Sequence, residues 1–273
     1  MNGISVCIMT RNSAKTIAHC LEPLREFEEV LVLDTGSKDA TLDIVATFPN
    51  ARLLYQDGIE NFGRTRNFLA AQAANDWILM VDSDEILTPE LVAEIRALPN
   101  EAAVVYDILR INHYRGRPIR ACGWFPDYCH RIYHRRTTAW KERAVHESLE
   151  IPAGTTVKKL RGEMNHFSFD GAAPLAGKTL WYAELFANDF AGKRQSSFLK
   201  ALTRGAWMFF RCYLFRWGWL YGRDGFVISW FAAYGSFMKY LLLCEGNERL
   251  QRERRSTEQC QATVSPDHAE GAY

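Results

Sequence analysis

The chain has 273 residues, a formal net charge of +1 and 48% hydrophobic residues. That length suits one large domain, or one domain with an appendage, around a substantial core. The near-zero charge excludes the electrostatic footprint of a nucleic-acid binder.

Strand and helix patterns alternate through the first half. A β-branched strand is predicted over 4–9. A helix follows over 13–27, with Ser13 as its cap and Ile17, Cys20, Leu21 and Leu24 at helical spacing. Further strands are predicted over 30–33, 52–55 and 77–81, with helices over 39–48, capped by Asp39, and 62–74. Alternation of this kind with apolar strands predicts a mostly parallel, Rossmann-like α/β sheet with helices on both faces. Ligands of such sheets sit beyond the carboxyl ends of the strands. Candidate polar groups fall there: Thr10, Arg11 and Asn12 after the first strand, Asp34 to Ser37 after the second, and Asp82-Ser83-Asp84-Glu85 after the fourth. Asp82 and Asp84, two residues apart on an extended chain, share one side and suit a hard divalent cation with oxygen ligands. Ser83, Asp84 and Thr88 equally offer caps for a helix expected near Pro89. Arg64, Arg66 and Asn67 open the third helix at the same edge, and arginine's fork of donors suits a diphosphate.

Short strands are predicted over 104–109 and 130–133, around an arginine-rich span from Arg110 to Arg143 that reads as a solvated face or as a surface for an acidic substrate. From residue 190 to 223 there are seven Lys or Arg, ten aromatics and no Asp or Glu. Lys200, Arg204 and Arg211 share one helical face there, as expected of a basic amphipathic helix at an anionic membrane surface. Residues 226–244 are apolar, and an interfacial or core-packing helix is preferred to a membrane span because Lys239 sits near one end. The expected organisation is a catalytic domain over 1–189, a membrane-associating helical region over 190–247 and an unstructured polar tail over 248–273. Seven scattered cysteines (Cys7, Cys20, Cys122, Cys129, Cys212, Cys244 and Cys260) lack metal-site spacing and are expected to be the reduced thiols of a cytosolic protein.

The segments SVCIMTRN (5–12), LDTGSKDAT (33–41), GRTRN (63–67) and DWILMVDSDE (76–85) resemble family 2 glycosyltransferases of the GT-A fold. Later segments, WFPDY (124–128), RIY (131–133) and VHE (145–147), resemble the branch containing lipopolysaccharide core β-1,4-glucosyltransferases. Thr35 stands where that family often has a second Asp. The resemblance implies that Thr10, Arg11 and Asn12 line the nucleotide pocket and that Asp34 binds the nucleoside. Asp82 and Asp84, with Ser83 between them, then hold a Mg2+ or Mn2+ ion and the diphosphate, with Asp84 nearer the metal. It places Gly123 under the donor sugar, Glu147 as the catalytic base and His166 near the metal. The implied activity is inverting transfer of a sugar, glucose from UDP-glucose as the best guess, to a lipid-linked saccharide at the inner face of the cytoplasmic membrane. Two other classes compete. A sugar-nucleotide nucleotidyltransferase would carry a glycine-rich loop where Thr10-Arg11-Asn12 stands. A non-catalytic nucleotide-binding membrane protein would not need both Asp84 and Glu147.

Overall fold

The structure is a computed structural model that describes residues 3–59, 61–101, 103–142 and 148–263, with side chains through 259. The expected base Glu147 and its neighbour His146 lie outside the described residues. The chain divides into two compact units, Met1–Asp170 and Gly171–Tyr273.

In the first unit β1 (Ile4–Thr10) leads to α1 (Ile17–Leu21), a 3-10 turn (Glu22–Glu26) and β2 (Glu29–Asp34). Next come α2 (Thr41–Val45), β3 (Ala51–Tyr55), α3 (Phe62–Ala71), β4 (Trp77–Asp82), β5 (Glu85–Leu87) and α4 (Pro89–Arg96). The remaining strands are β6 (Val104–Tyr114), β7 (Arg117–Pro118), β8 (Asp127–His134), β9 (Ala139–Trp140), β10 (Leu149–Glu150) and β11 (Thr156–Phe169). The main sheet runs β3-β2-β1-β4-β8-β6-β11-β5, with β7 paired to β6. Its first four strands are parallel, as the alternation predicts. Beyond β4 the sheet is mixed: β8 is antiparallel to β4 and β6, while β11 runs parallel to β6.

All seven residues of β1 are buried. Val6 and Ile8 pack on one face with Ile17, Leu21, Leu24, Leu79 and Val81. Cys7 and Met9 pack on the other with Leu31, Leu33, Leu69, Ile78 and Met80. Each such Leu or Ile stabilises the fold by about 1.5–3 kcal/mol when fully buried. The helix predicted over 13–27 is shorter than expected. Ser13 opens a turn, its carbonyl accepting from the Thr16 and Ile17 N–H groups at 2.9 Å, and Pro23 sits in the first turn of the 3-10 segment that starts at Glu22. Gly162 lets β11 approach α4 closely: a Cβ there would lie 2.5 Å from the Leu91 Cα.

The second unit holds α5 (Ala172–Phe190), α6 (Phe198–Phe210), a π-helical turn (Arg211–Phe215), a 3-10 turn (Gly218–Tyr221) and α7 (Gly222–Thr263). Both α5 and α6 pack on α7. Glycines set these close approaches. A Cβ on Gly205 would meet the Phe237 Cβ at 3.0 Å, and one on Gly235 the Thr179 Cγ2 at 2.5 Å. The tail expected to be unstructured from 248 is helical to Thr263, because α7 continues through it. The α5 segment, expected within the first domain, belongs to the helical unit.

Candidate functional site

Parallel register aligns the carboxyl ends of the first strands. Thr10 stands opposite Asp34 across β1 and β2, and Met9 opposite Asp82 across β1 and β4. The loops that follow are tied together. Asn12 N–H donates to Ser37 Oγ (2.9 Å), and Lys38 N–H donates to Asn12 Oδ1 (2.8 Å). Ser13 and Ser83 hydroxyls meet at 2.8 Å, bridging the β1 and β4 ends. Asp34 is buried and turns its carboxylate to its own loop, accepting from Gly36 and Ser37 N–H groups at 3.1 Å. Gly36 has φ +100°, the left-handed region that glycine enters without strain. Thr10 Oγ1 is buried with no hydrogen-bond partner among the described residues. A buried hydroxyl at a strand end in this state is a ready group for a ligand. Arg11 is exposed beside it.

The two aspartates of the fourth strand end have different surroundings. Asp82 Oδ1 accepts from Arg66 Nη2 at 3.1 Å and Oδ2 from Arg131 Nη2 at 2.7 Å. Burial pushes the Asp82 carboxyl up, but the charges of Arg131 and Arg66 outweigh it and hold it well below the usual carboxylate range. Arg131 also donates to the fully buried Glu85, which in turn accepts the Asp82 N–H at 2.9 Å. Arg110 bridges Glu85 (3.3 Å) and Asp127 (2.9 Å), and Asp127 accepts from Asn112 Nδ2 at 2.9 Å. Asn112 Oδ1 lies 2.7 Å from His166 Nδ1, and His166 Nε2 lies 3.4 Å from Asp84 Oδ2. The pairing of His166 with Glu85 across β11 and β5, and the Phe167 N–H bond to the Asp84 carbonyl (2.9 Å), place this histidine.

One polar chain therefore runs Asp82, Arg131, Glu85, Arg110, Asp127, Asn112, His166 and Asp84. His166 thus turns Nδ1 to Asn112 and Nε2 to Asp84, and the Ser168 hydroxyl lies 2.8 Å from Nδ1 and 2.5 Å from Nε2. Asp84 and His166 fit a divalent cation as two protein ligands, with phosphate oxygens and water completing the shell. Asp82 fits less well, because both of its oxygens already accept from arginines. No group of three or more His, Cys, Asp or Glu among the described residues is arranged to hold a metal. Burial pushes the Cys129 thiol up to about 11, away from the thiolate a metal ligand needs.

Two expected site residues, Asn67 and Arg64, are placed elsewhere. Asn67 is committed to the backbone of β9: its Nδ2 donates to the Trp140 carbonyl (2.9 Å) and its Oδ1 accepts the Trp140 N–H (2.8 Å). Arg64 makes an exposed pair with Glu142 at 3.2 Å. Arg66 lies over the Trp140 ring at 4.5 Å while reaching Asp82. Gly123 occupies a turn between β7 and β8, with φ +83° next to Cys122 at +57°. Sequence reasoning left Glu85, Arg110, Asn112 and Arg131 without individual roles. Glu85 was visible as the third acid of DSDE, and a carboxylate followed by the apolar Ile86 and Leu87 of a strand signals a buried pair.

Residues 5–150, more than half of the chain, match the family model for Glycosyl transferase family 2. An uncharacterized glycosyltransferase of Rickettsia felis is 28% identical over 260 residues, covering 90% of this chain and 90% of that protein. One from Rickettsia prowazekii (strain Madrid E) is 27% identical over 253 residues, covering 88% and 86%. The crystal structure of S. aureus TarS 1–349 in complex with UDP-GlcNAc aligns with a TM-score of 0.44 at 16% identity, covering 86% of this chain and 91% of that one.

Proposed function

We propose, from the premise that the chain belongs to glycosyl transferase family 2, that it is an inverting enzyme moving a sugar from a UDP-sugar to a lipid-linked saccharide. The observation that carries this reading is the meeting of Asp84 with His166 at aligned strand ends that also hold Thr10, Asp34 and Asp82. The strand ends suit the nucleoside, with the unpartnered Thr10 hydroxyl and the exposed Arg11 available to it. Arg66 offers its charge to the diphosphate. A divalent ion held by Asp84 and His166 would neutralise the leaving diphosphate. Asp82, fixed by Arg66 and Arg131, orients the loop that carries Asp84. Glu147 takes the acceptor hydroxyl proton as general base, and Gly123 leaves room for the donor sugar.

Glucose as the donor sugar and a lipopolysaccharide inner core as the acceptor are the finer form of this proposal. They rest on the WFPDY, RIY and VHE segments. A lipid-linked acceptor places the enzyme peripherally on the inner face of the cytoplasmic membrane, and the acid-free aromatic run over 190–223 supports that placement. A donor screen measuring nucleoside diphosphate release tests the reading, with UDP-, GDP- and ADP-sugars offered with and without Mn2+. Metal-dependent UDP release is expected. Release of pyrophosphate from UTP and a sugar phosphate instead would establish a nucleotidyltransferase.

A further inference from the structure

The second unit ends its α6–α7 hairpin in a cap of exposed apolar side chains. Phe210, Leu214, Phe215, Trp217, Trp219 and Leu220 are all exposed, Phe215 at 64% and Trp217 at 60%. A soluble protein rarely leaves so many large apolar groups together on one surface. The cap is fixed rather than loose. The Gly218 carbonyl oxygen lies 1.8 Å from where a Cβ on Gly225 would stand, so the turn presses directly on the start of α7. Trp217 is held at φ +59°, a conformation that a bulky residue adopts only when its surroundings impose it. Its ring lies 6.2 Å from that of Trp219, and the Trp207 ring lies 5.9 Å from Phe215. Phe209, Tyr213, Phe226 and Trp230 form a further ring cluster, with Phe226 and Trp230 nearly parallel at 6.5 Å and both exposed.

Cations are interleaved with these rings. Arg211, Arg216 and Arg223 are exposed. Burial pushes the Cys212 thiol up, and both Arg211 and Arg216 are close enough to act against it. The basic face expected on α6 is engaged differently: the Lys200 Nζ lies 5.3 Å and the Arg204 guanidinium 5.7 Å from the Tyr240 ring centre on α7. The free combination of aromatic surface and positive charge is therefore at the hairpin tip, not along the helix.

We propose that the tip formed by residues 210–223 inserts into the headgroup region of an anionic bilayer, with its aromatic and leucine side chains reaching the acyl boundary and Arg211, Arg216 and Arg223 at the lipid phosphates. Charge complementarity selects this occupant over a second copy of the chain. A two-fold dimer through the tip would set the same arginines against each other in an apolar patch, where charged residues are depleted. An anionic bilayer satisfies both components at once, since tryptophan and arginine are the side chains that sit at membrane interfaces. The inference deepens the lipid-acceptor reading by naming the element that docks, and it is testable without that reading.

The test is flotation of the full chain with phosphatidylglycerol–phosphatidylethanolamine vesicles carrying no saccharide, against phosphatidylcholine vesicles. The expected result is binding at least about tenfold weaker to the neutral vesicles, reduced but not abolished by high salt. Phe215→Ser, Trp219→Ser and Leu220→Ser combined should remove the salt-resistant part. Arg211→Ser with Arg216→Ser should remove the salt-sensitive part and serves as the second variant if the first does not fold, as judged by its thermal midpoint. A wild type that stays at the bottom of the gradient overturns the proposal. So does a folded triple variant that floats like the wild type, or a wild-type dimer that the triple variant converts to a monomer without vesicle binding. Failure of sugar transfer in the donor screen leaves the flotation result standing, so the two readings fail separately.

Discussion

Arg131 lies between two acids, its Nη2 2.7 Å from Asp82 Oδ2 and also donating to Glu85, which is fully buried. The guanidinium is nearly inaccessible to water, so each charge depends on the others for solvation. This arrangement makes Asp82 a brace and leaves Asp84, on the far side of the turn, to face His166.

Arg131→Met should destabilise the chain by about 3–5 kcal/mol, the usual cost of leaving a buried charge without its partner. Urea unfolding followed by tryptophan fluorescence measures it. A loss under about 1 kcal/mol, the range of exposed pairs, would mean that the network is solvated and the brace assignment wrong.

The same pairs set an acid limit. The folded Asp82 carboxyl is held below its unfolded value, with the charges of Arg131 and Arg66 prevailing over burial. A group of this kind contributes stability that is complete above the unfolded value of about 4 and is lost as pH falls through and below it. Unfolding free energy should therefore begin to fall near about pH 5 and keep falling below about pH 3. Asp82→Asn should make that dependence shallower. An unchanged slope would assign acid sensitivity to other carboxylates.

Gly63 sits at the first turn of α3, where a Cβ would lie 2.3 Å from the Lys141 carbonyl oxygen. Because that neighbour is backbone, it has little freedom to yield. Gly63→Ala should cost about 1–3 kcal/mol and loosen the Asn67–Trp140 pair beside it. Hydrogen exchange at the Trp140 amide reads this directly, and unaltered protection would show that the segment moves aside freely.

Glu147→Gln should keep donor affinity and lose transfer by about a hundredfold or more, as expected for removal of a general base. Single-turnover kinetics with a lipid-linked acceptor separate the two quantities. If transfer persists, Asp127 becomes the next carboxylate to substitute, although it already accepts from Arg110 and Asn112.

The parallel half of the sheet was readable in the sequence because each strand is a continuous apolar run ending in a polar group: β1 at Thr10, β2 at Asp34, β4 at Asp82. The long strand β11, between β6 and β5, was not. Only Leu160, Gly162, Met164 and His166 of its 14 residues are buried, in strict alternation, and because two of these inward positions are Gly and His, the apolar period of two does not show in the sequence. That hid the element which delivers His166 to Asp84, so the histidine was a candidate without a strand to place it. The buried pairs were equally hidden, since Arg131 lies 49 residues from Asp82 and 46 from Glu85. The π-turn and the left-handed Trp217 at the hairpin tip have no local signature either; periodicity found the basic face of α6 instead.

In the proposed reading, Asp84 and His166 hold the ion that binds the donor diphosphate. Titration calorimetry of UDP with and without Mn2+, on the wild type, Asp84→Asn and His166→Gln, tests it most directly. Mn2+ should strengthen UDP binding to the wild type, and both variants should lose about tenfold to a hundredfold of that increment while retaining metal-free binding and wild-type thermal midpoints. Equal Mn2+ enhancement in all three proteins would contradict it.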